Sequence, residues 1–491
     1  MIYARNYNCR KEHYLNKYKN AFFINPNDSE DIYKPDKADL KQGIDVLLQQ
    51  SYGITPLFFS VGEELVIDYT TNVLKSQEEV MVKNGNLKND LDYYIKYDYI
   101  YKKGNTITLF YIIWKSIKTI SDYATRNILI PKMLYSQSIA KNNFADAVII
   151  DKVISLEFDD EYNTHFWKIS QIDINDFKSS DRDKFLPLFY TDDEEPQCDY
   201  SRKCKKCGYR DYCNVPKFSV ADLESTPNCW RVLDPIIKNH KDLKLENLTE
   251  QEINSLKDYQ KFKYFAYLSQ QNGGDGKYIN KAIILTFLNK IFQKGYVSFD
   301  FETYSTIIPI DNKYAPYAQI PFSYSLDLVN EKNELIKHSI YITDYKSENF
   351  DELIIHLVDE LPTDLPIVVY FKTFEIGRFK ELKELYPQLA STIDKWIDNV
   401  MDLYEVFEKG GYYDINFGKS LSLKSIYPVL CGNKYQTLEI NKGDRASLDY
   451  KMIFNNKNYK DADKIMKDLT EYNSQDTMAQ IEIIEQLKKN I

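Results

Sequence analysis

The stretch V-S-F-D-F-E-T-Y-S, residues 297–305, decides how the rest of the chain is read. Its pattern is that of a β-strand, in which side chains alternate between faces. Ser298, Asp300 and Glu302 then share one face, and Phe299 and Phe301 share the other. Asp and Glu are poor strand formers and are rarely buried unless paired or metal-bound. Two acids at i and i+2 lie about 7 Å apart, so both can reach metal ions separated by about 3.5–4 Å. Hard carboxylate oxygens suit Mg²⁺ or Mn²⁺. For these nine residues alone, the competing reading is a solvated polar face.

The sequence around this strand alternates strand and helix patterns. SYSLDLV and HSIYIT read as the second and third strands of a meander, FDELIIHLVDEL as an amphipathic helix and LPIVVYF as a buried strand. The next helix, EIGRFKELKELY, begins near Glu375; alone, Glu375 reads as a first-turn acid that favours the helix dipole. The closing run KIMKDLTEYNSQDTMAQIEIIEQLKK is a helix that puts Tyr472 and Asp476 on one face. Taken alone, that pair reads as a half-buried Tyr and an exposed Asp. Asp402, in NVMDLYEVF, reads as a surface acid on a helix, with lining the site as the alternative. The pattern predicts an α/β domain with a mixed sheet.

With these residues in order, the sequence resembles the DEDD exonucleases. The resemblance rests on Asp300 and Glu302 in FDFET, on Phe374–Glu375 after a strand, and on Tyr472-x-x-x-Asp476, the spacing of the tyrosine-type subgroup. It implies a ribonuclease H-like fold in which Asp300, Glu302, Glu375 and Asp476 hold two Mg²⁺ or Mn²⁺ and Tyr472 orients the attacking water. More narrowly, YAPYAQIPFSYSLDL, VVYFKTFEIGRFKEL, GKSLSLKSIYPVL and YNSQDTMAQIEI resemble an uncharacterised bacterial family in which such a domain follows a RecB-like region. Two positions depart from the exonuclease pattern. Glu375 stands where most members have Asp, and Phe371 where Asn is common.

Four of the seven cysteines fall in CDYSRKCKKCGYRDYC, residues 198–213. In a reducing compartment such a group points to metal rather than to disulfides. Cys204, Cys207 and Cys213 are spaced C-x2-C-x5-C, Cys198 lies upstream, and Cys9 precedes an N-terminal helical pattern. This resembles RecB-like nucleases of the iron–sulfur type, including CRISPR-associated members. The resemblance implies a [4Fe–4S] cluster on Cys9, Cys204, Cys207 and Cys213 that clips the ends of the nuclease domain together. Cys198 is a competing ligand, and a local Zn²⁺ site within 198–213 is the alternative. Cys229 and Cys431 read as small, partly buried hydrophobes.

RecB-like PD-(D/E)XK nucleases carry a strand-borne Asp and then an acid-x-Lys on the next strand. In YYIKYDYIYKKGNTITLFYIIWKSIKT, a hairpin about a KKGN turn, the matching residues are Asp98 and Lys115. The acid expected at position 113 is Ile113, so the site is read as degenerate. A relocated acid would restore it. Otherwise the domain binds substrate, with Lys115, Lys118, Arg126 and Lys132 offering a basic face or only a solvated one.

The 491 residues, 43% hydrophobic, divide on this reading into a RecB-like restriction-endonuclease-like domain (1–215), a helical connector (216–290) and a ribonuclease H-like domain (291–491). In the connector, Thr249 and Glu252 form a capping box, and QQNGGDGKYIN is a loop. The net charge of −10 gives no overall basic footprint, so a nucleic-acid partner needs local lysines or metal ions. The N-terminus lacks the apolar run of a signal peptide, and runs such as ITLFYIIW are too short to span a bilayer. A cytoplasmic protein with no membrane partner is expected, acting as a metal-dependent 3′→5′ exonuclease on DNA or RNA. The alternative is a non-catalytic nucleic-acid-binding scaffold in which both nuclease sites have decayed. No protein partner is indicated.

Overall fold

A computed structural model describes residues 2–3, 9–19, 35–113, 123–159, 164–182, 189, 194–197, 200–201, 204, 207–223, 230–240, 242–306, 313–314, 318–347, 349–418, 420–432, 439–440 and 443–491. The chain is mixed α/β and divides into two units, Met1–Asp199 with Lys206–Asn214, and Tyr200–Lys205 with Val215–Ile491. Residues 216–290 belong to the second unit. Among the described residues, no helix is long and apolar enough to cross a membrane.

In the first unit the chain runs β1 (Ile2–Tyr3), α1 (Arg10–Tyr18), α2 (Pro35–Tyr52), β2 (Leu57–Phe58), α3 (Glu63–Ser76), β3 (Glu79–Lys83), β4 (Asn86–Lys88) and β5 (Tyr93–Lys96). It continues through β6 (Tyr99–Lys103), β7 (Thr106–Ile113), α4 (Tyr123–Asn143), β8 (Val148–Asp159), β9 (Thr164–Ile172) and α5 (Ser179–Arg182). Six strands form a sheet in the order β2-β3-β6-β7-β8-β9, and β1-β5-β4 form a smaller one. β6 and β7 are the antiparallel hairpin expected about the KKGN turn. β7 is apolar on both faces because both are covered. Ile107, Leu109 and Tyr111 pack with Leu129, Ile130 and Met133 of α4, whereas Phe110 and Ile112 pack with Ile44 and Leu48 of α2.

The second unit begins with α6 (Trp230–Asn239), α7 (Glu250–Ser255) and α8 (Asp258–Gln271). The capping box forms: Thr249 Oγ1 accepts from Glu252 N, and Glu252 Oε2 accepts from Thr249 N. The expected loop QQNGGDGKYIN turns through Gly273 and Gly276, both at positive φ, but its second half is a strand, β10 (Lys277–Ile279). β10 pairs with the distant β16 (Tyr412–Asp414), a tertiary contact with no local signature. α9 (Lys281–Ile291) follows.

The central sheet comprises β11 (Tyr296–Tyr304), β12 (Ile320–Val329), β13 (Leu335–Ile342), β14 (Ile367–Val369) and β15 (Val400–Asp402), in the order β13-β12-β11-β14-β15. The β11–β12–β13 meander is antiparallel, and β11, β14 and β15 run parallel. Between them lie α10 (Asp351–Glu360), α11 (Thr373–Leu385) and α12 (Ala390–Asn399), and after them α13 (Tyr404–Glu408), α14 (Leu423–Cys431), α15 (Gly443–Asn455) and α16 (Ala462–Lys489).

The alternation in 297–305 holds. Phe299 and Phe301 are buried with Leu353, Leu357, Phe379 and Trp396, and Phe379 contacts both phenylalanine rings at centroid distances of 5.7 and 5.4 Å. Burying each such ring stabilises the sheet by roughly 1.5–3 kcal/mol. The other face is not solvated, because α16 covers it through small polar side chains. Ser298 Oγ donates to Thr477 O at 2.9 Å, Ser325 and Thr477 hydroxyls meet at 2.9 Å, Asn473 Nδ2 donates to Ser323 Oγ, and Gln480 Nε2 donates to Phe299 O at 3.2 Å. Serines let the helix approach closely, and their bonds fix its register on the sheet.

Candidate metal centre

The register of α16 brings Asp476 over β11. Ligand oxygens of Asp300, Glu302 and Asp476 all lie within 4.8 Å of one another, the one such metal-ligand group among the described residues. Glu302 and Asp476 are buried, and Asp300 keeps partial exposure. The β11–β12 register slips between Glu302 and Thr303, a bulge that re-aims the strand just past the second acid. Neither Tyr472 nor Asp476 is a surface residue.

Glu375 lies in the first turn of α11 but is not a solvent-facing dipole acid. It is 1% exposed, and its Oε2 is buried with no hydrogen-bond partner. It stands outside the close group of three yet near enough to feel Asp300. Burial pushes the carboxyls of Asp300, Glu302 and Glu375 well above the ordinary range. Their mutual repulsion adds to this: Asp476 acts on Asp300, Asp300 and Asp476 act on Glu302, and Asp300 acts on Glu375. Lys424 and Arg378 oppose the shift.

Tyr472 is buried, and burial followed by the charges of Asp476, Glu302 and Asp300 pushes its hydroxyl up, so it stays protonated. Lys424 on α14 donates to the Tyr472 hydroxyl at 2.5 Å, with its Nζ 4.5 Å from the ring centroid. Lys424 lies in the GKSLSLKSIYPVL stretch, but nothing in its local pattern marks it as a partner of Tyr472.

Asp402 corrects the helix reading. It ends β15, is buried, and accepts from three backbone amides: Phe371 N at 2.9 Å, Lys372 N at 3.0 Å and Tyr404 N at 3.0 Å. It thereby holds the β14–α11 junction that presents Glu375. Its own carboxyl is raised by burial, against those three bonds.

The donor set fits a hard divalent cation. Gathered buried carboxylates repel one another, and an unpartnered buried oxygen on Glu375 is costly without a positive partner. Asp300, Glu302, Asp476 and Glu375 supply oxygens of the kind Mg²⁺ and Mn²⁺ take.

In the first unit, Asp98 lies in the bend between β5 and β6 rather than within a strand. Its Oδ2 accepts from Ile112 N at 2.9 Å and from Lys132 Nζ at 2.6 Å. Lys115, Lys118 and the Arg126 side chain lie outside the described residues. Ile113 packs against the apolar core. The neighbouring strand carries a buried acid, Asp151, whose oxygens accept from the Tyr111 hydroxyl at 2.6 Å and from Gln137 Nε2. Of the cysteines, Cys9 caps α1, its Sγ accepting from Glu12 N at 3.3 Å, and Cys204 Sγ accepts from Ser201 N at 3.4 Å. Cys9, Cys204, Cys207, Cys213 and Cys431 are not in disulfides; Cys431 packs against the second unit's core. Cys198 and Cys229 lie outside the described residues.

Residues 297–422 match a family described as a domain of unknown function (DUF2779). The match contains Asp300, Glu302, Glu375 and Asp402 and ends before Lys424, Tyr472 and Asp476. The chain is also similar to the uncharacterized protein MG366 of Mycoplasma genitalium, 27% identical over 294 residues, covering 53% of this chain and 43% of that protein. The chain thus spans less than half of that relative's length. No solved structure matches.

Proposed function

We propose that the second unit is a divalent-metal-dependent 3′→5′ exonuclease of the ribonuclease H-like, tyrosine-type DEDD kind. The observation that carries this reading is the gathering of Asp300, Glu302 and Asp476 within 4.8 Å, with Glu375 and Tyr472 buried beside them. The strand order β13-β12-β11-β14-β15, with an antiparallel meander on one side and parallel strands on the other, supports it.

In this proposal Asp300, Glu302, Glu375 and Asp476 hold two Mg²⁺ or Mn²⁺. When bound, such ions supply a nucleophilic water near neutral pH and stabilise the charge on the leaving 3′ oxygen. The protein's own groups do the rest. The bonds from Ser298, Ser325 and Asn473 to α16 hold Asp476 in register with β11. Tyr472, kept protonated, donates its hydroxyl to Asp476 and accepts from Lys424, which holds that hydroxyl at the edge of the carboxylate group, where its oxygen would orient the attacking water. Asp402 sets the helix start that carries Glu375.

The first unit is proposed to bind nucleic acid. Its Asp98 is engaged by Lys132, and no acid stands at Ile113. We also propose a [4Fe–4S] cluster on Cys9, Cys204, Cys207 and Cys213, which the sequence spacing carries. Anaerobically purified chain with about four iron atoms per molecule and a broad visible absorbance is the expected result. A colourless protein with one zinc would replace the cluster with a zinc site.

The test of function is a 5′-labelled single-stranded oligonucleotide incubated with the full chain. A ladder shortening from the 3′ end, dependent on Mg²⁺ or Mn²⁺ and lost in Asp300→Ala, is expected. Binding without degradation would leave a scaffold. Activity that survives Asp300→Ala but is lost in Lys115→Ala would place catalysis in the first unit.

A further inference from the structure

Gly443, the first residue of α15, stands against the carboxylate group. A Cβ placed on it would lie 3.7 Å from the Tyr472 hydroxyl oxygen and 3.8 and 3.9 Å from the two oxygens of Glu302. Among the described residues, and leaving aside its own helix backbone, these are the nearest atoms such a Cβ would meet. The rest of α15 fixes this position. Ala446 is fully buried, and Tyr450 stacks on Phe322 of β12 at a centroid distance of 3.9 Å. The Tyr450 hydroxyl donates to Thr343 O at 3.0 Å, and Lys451 Nζ donates to Ser305 O, just past β11, at 2.7 Å. The helix is thus tied to the strands beside and after Glu302.

Neither the backbone nor the packing calls for glycine here. Gly443 has a helical backbone and is not among the glycines at positive φ. In a helical backbone alanine is the more stable residue. A Cβ at 3.7–3.9 Å would be in ordinary van der Waals contact, without a clash. At Gly295 and Gly411, by contrast, a Cβ would meet the carbonyl oxygens of Val329 and Val406 at 2.3 and 2.7 Å, so those positions are closed to any side chain. What a methyl group at 443 would take up is space beside Tyr472 and Glu302.

We propose that Gly443 keeps open the place of the attacking water. An ordered water needs room and two to four polar partners, and this space borders the Tyr472 hydroxyl oxygen and both Glu302 oxygens. All three can accept hydrogen bonds. A water here donates one O–H to Tyr472 and the other to Glu302, which turns its lone pairs towards the substrate. A methyl in contact with the same three oxygens leaves no room for it. In the reaction the water oxygen bonds to phosphorus as the bond to the leaving 3′ oxygen breaks, and one water proton, passed on through solvent, ends on that 3′ oxygen. This rests on the exonuclease reading and deepens it. Gly443 is a positioning residue that acts by the space it leaves.

The test compares full-length wild type, Gly443→Ala, Tyr472→Phe and the double variant. Gly443→Ala should melt at or above wild type and bind as many Mn²⁺ ions. Its kcat on a labelled single strand should fall roughly 100-fold, the scale of a misplaced reacting group, while KM stays within about twofold. Water-proton relaxation by bound Mn²⁺, which reads how freely solvent reaches the site, should weaken. Tyr472→Phe disturbs the same water, so adding Gly443→Ala to it should cost less than about threefold more. Wild-type kcat and relaxation in Gly443→Ala, or costs that multiply in the double variant, would overturn the proposal and leave the exonuclease reading standing. A Gly443→Ala protein that melts well below wild type or loses Mn²⁺ would make the glycine structural and overturn it too. If wild type does not degrade the strand with Mg²⁺ or Mn²⁺, both readings fall.

Discussion

Replacing Asp300 by Asn should make the metal-free protein more stable while removing its response to metal. Asp300 acts on Glu302, Glu375 and Tyr472, and is itself pushed by Asp476. Two full charges no more than 4.8 Å apart repel by about 3 kcal/mol or more at an effective dielectric near 20. Burial has already raised these carboxyls, so protonation relieves part of the repulsion. Roughly 1–3 kcal/mol is then released when one charge becomes a neutral amide of the same shape. A shift of about 2–4 °C per kcal/mol, usual for domains of 150–250 residues, gives a melting midpoint raised by roughly 2–12 °C in EDTA. The assay is thermal unfolding of wild type and Asp300→Asn, each in EDTA and with Mn²⁺. Wild type should gain stability with Mn²⁺, the variant should gain little, and the variant's nuclease activity should fall by at least about 100-fold. A variant that melts below wild type in EDTA and responds equally to Mn²⁺ would falsify the idea that these carboxylates are a strained, metal-seeking group.

Four further outcomes follow from the same geometry. In EDTA, the stability advantage of Asp300→Asn should grow as pH rises above about 4, the ordinary carboxyl range. Carboxyls raised in the folded state favour folding at low pH and lose that contribution as pH climbs through their folded values; a pH-independent difference in urea midpoints would contradict this. Tyr472→Phe should lower kcat by about 100-fold while leaving Mn²⁺ binding intact, and Lys424→Met should destabilise the metal-free protein, because it removes a cation that offsets the carboxylates. Asp402→Ala leaves three backbone amides without their acceptor and should cost about 2–4 kcal/mol in denaturant unfolding, whereas Asp402→Asn should recover only part of that, because its single amide oxygen can serve Phe371 N and Tyr404 N but its NH2 cannot accept from Lys372 N.

The sequence was most informative where one element sufficed to reveal its role. The alternation of Phe299 and Phe301 with Asp300 and Glu302 placed the faces of β11 correctly, and the i, i+4 spacing of Tyr472 and Asp476 placed both on one face of α16. It was least informative where a residue's role depends on a distant partner. Asp402 lies in a run that reads as helix, and only the parallel pairing of β15 with β14 brings it beneath Phe371. β10 looked like the end of a glycine loop because its partner, β16, lies more than a hundred residues away. Lys424 carries no motif of its own; its place beside Tyr472 is set by where α14 meets α16. That Glu375 is buried with an unpartnered oxygen could not be read from its first-turn position, which suits a surface acid equally well.

The most direct measurement is the number and place of Mn²⁺ ions bound by the full chain, from metal titration followed by anomalous diffraction at the manganese edge. Two ions per chain are expected, contacted by Asp300, Glu302, Asp476 and Glu375 and separated by about 3.5–4 Å, with binding lost in Asp300→Asn. Absence of manganese at these carboxylates under saturating Mn²⁺, or binding that Asp300→Asn leaves unchanged, would contradict the two-metal site.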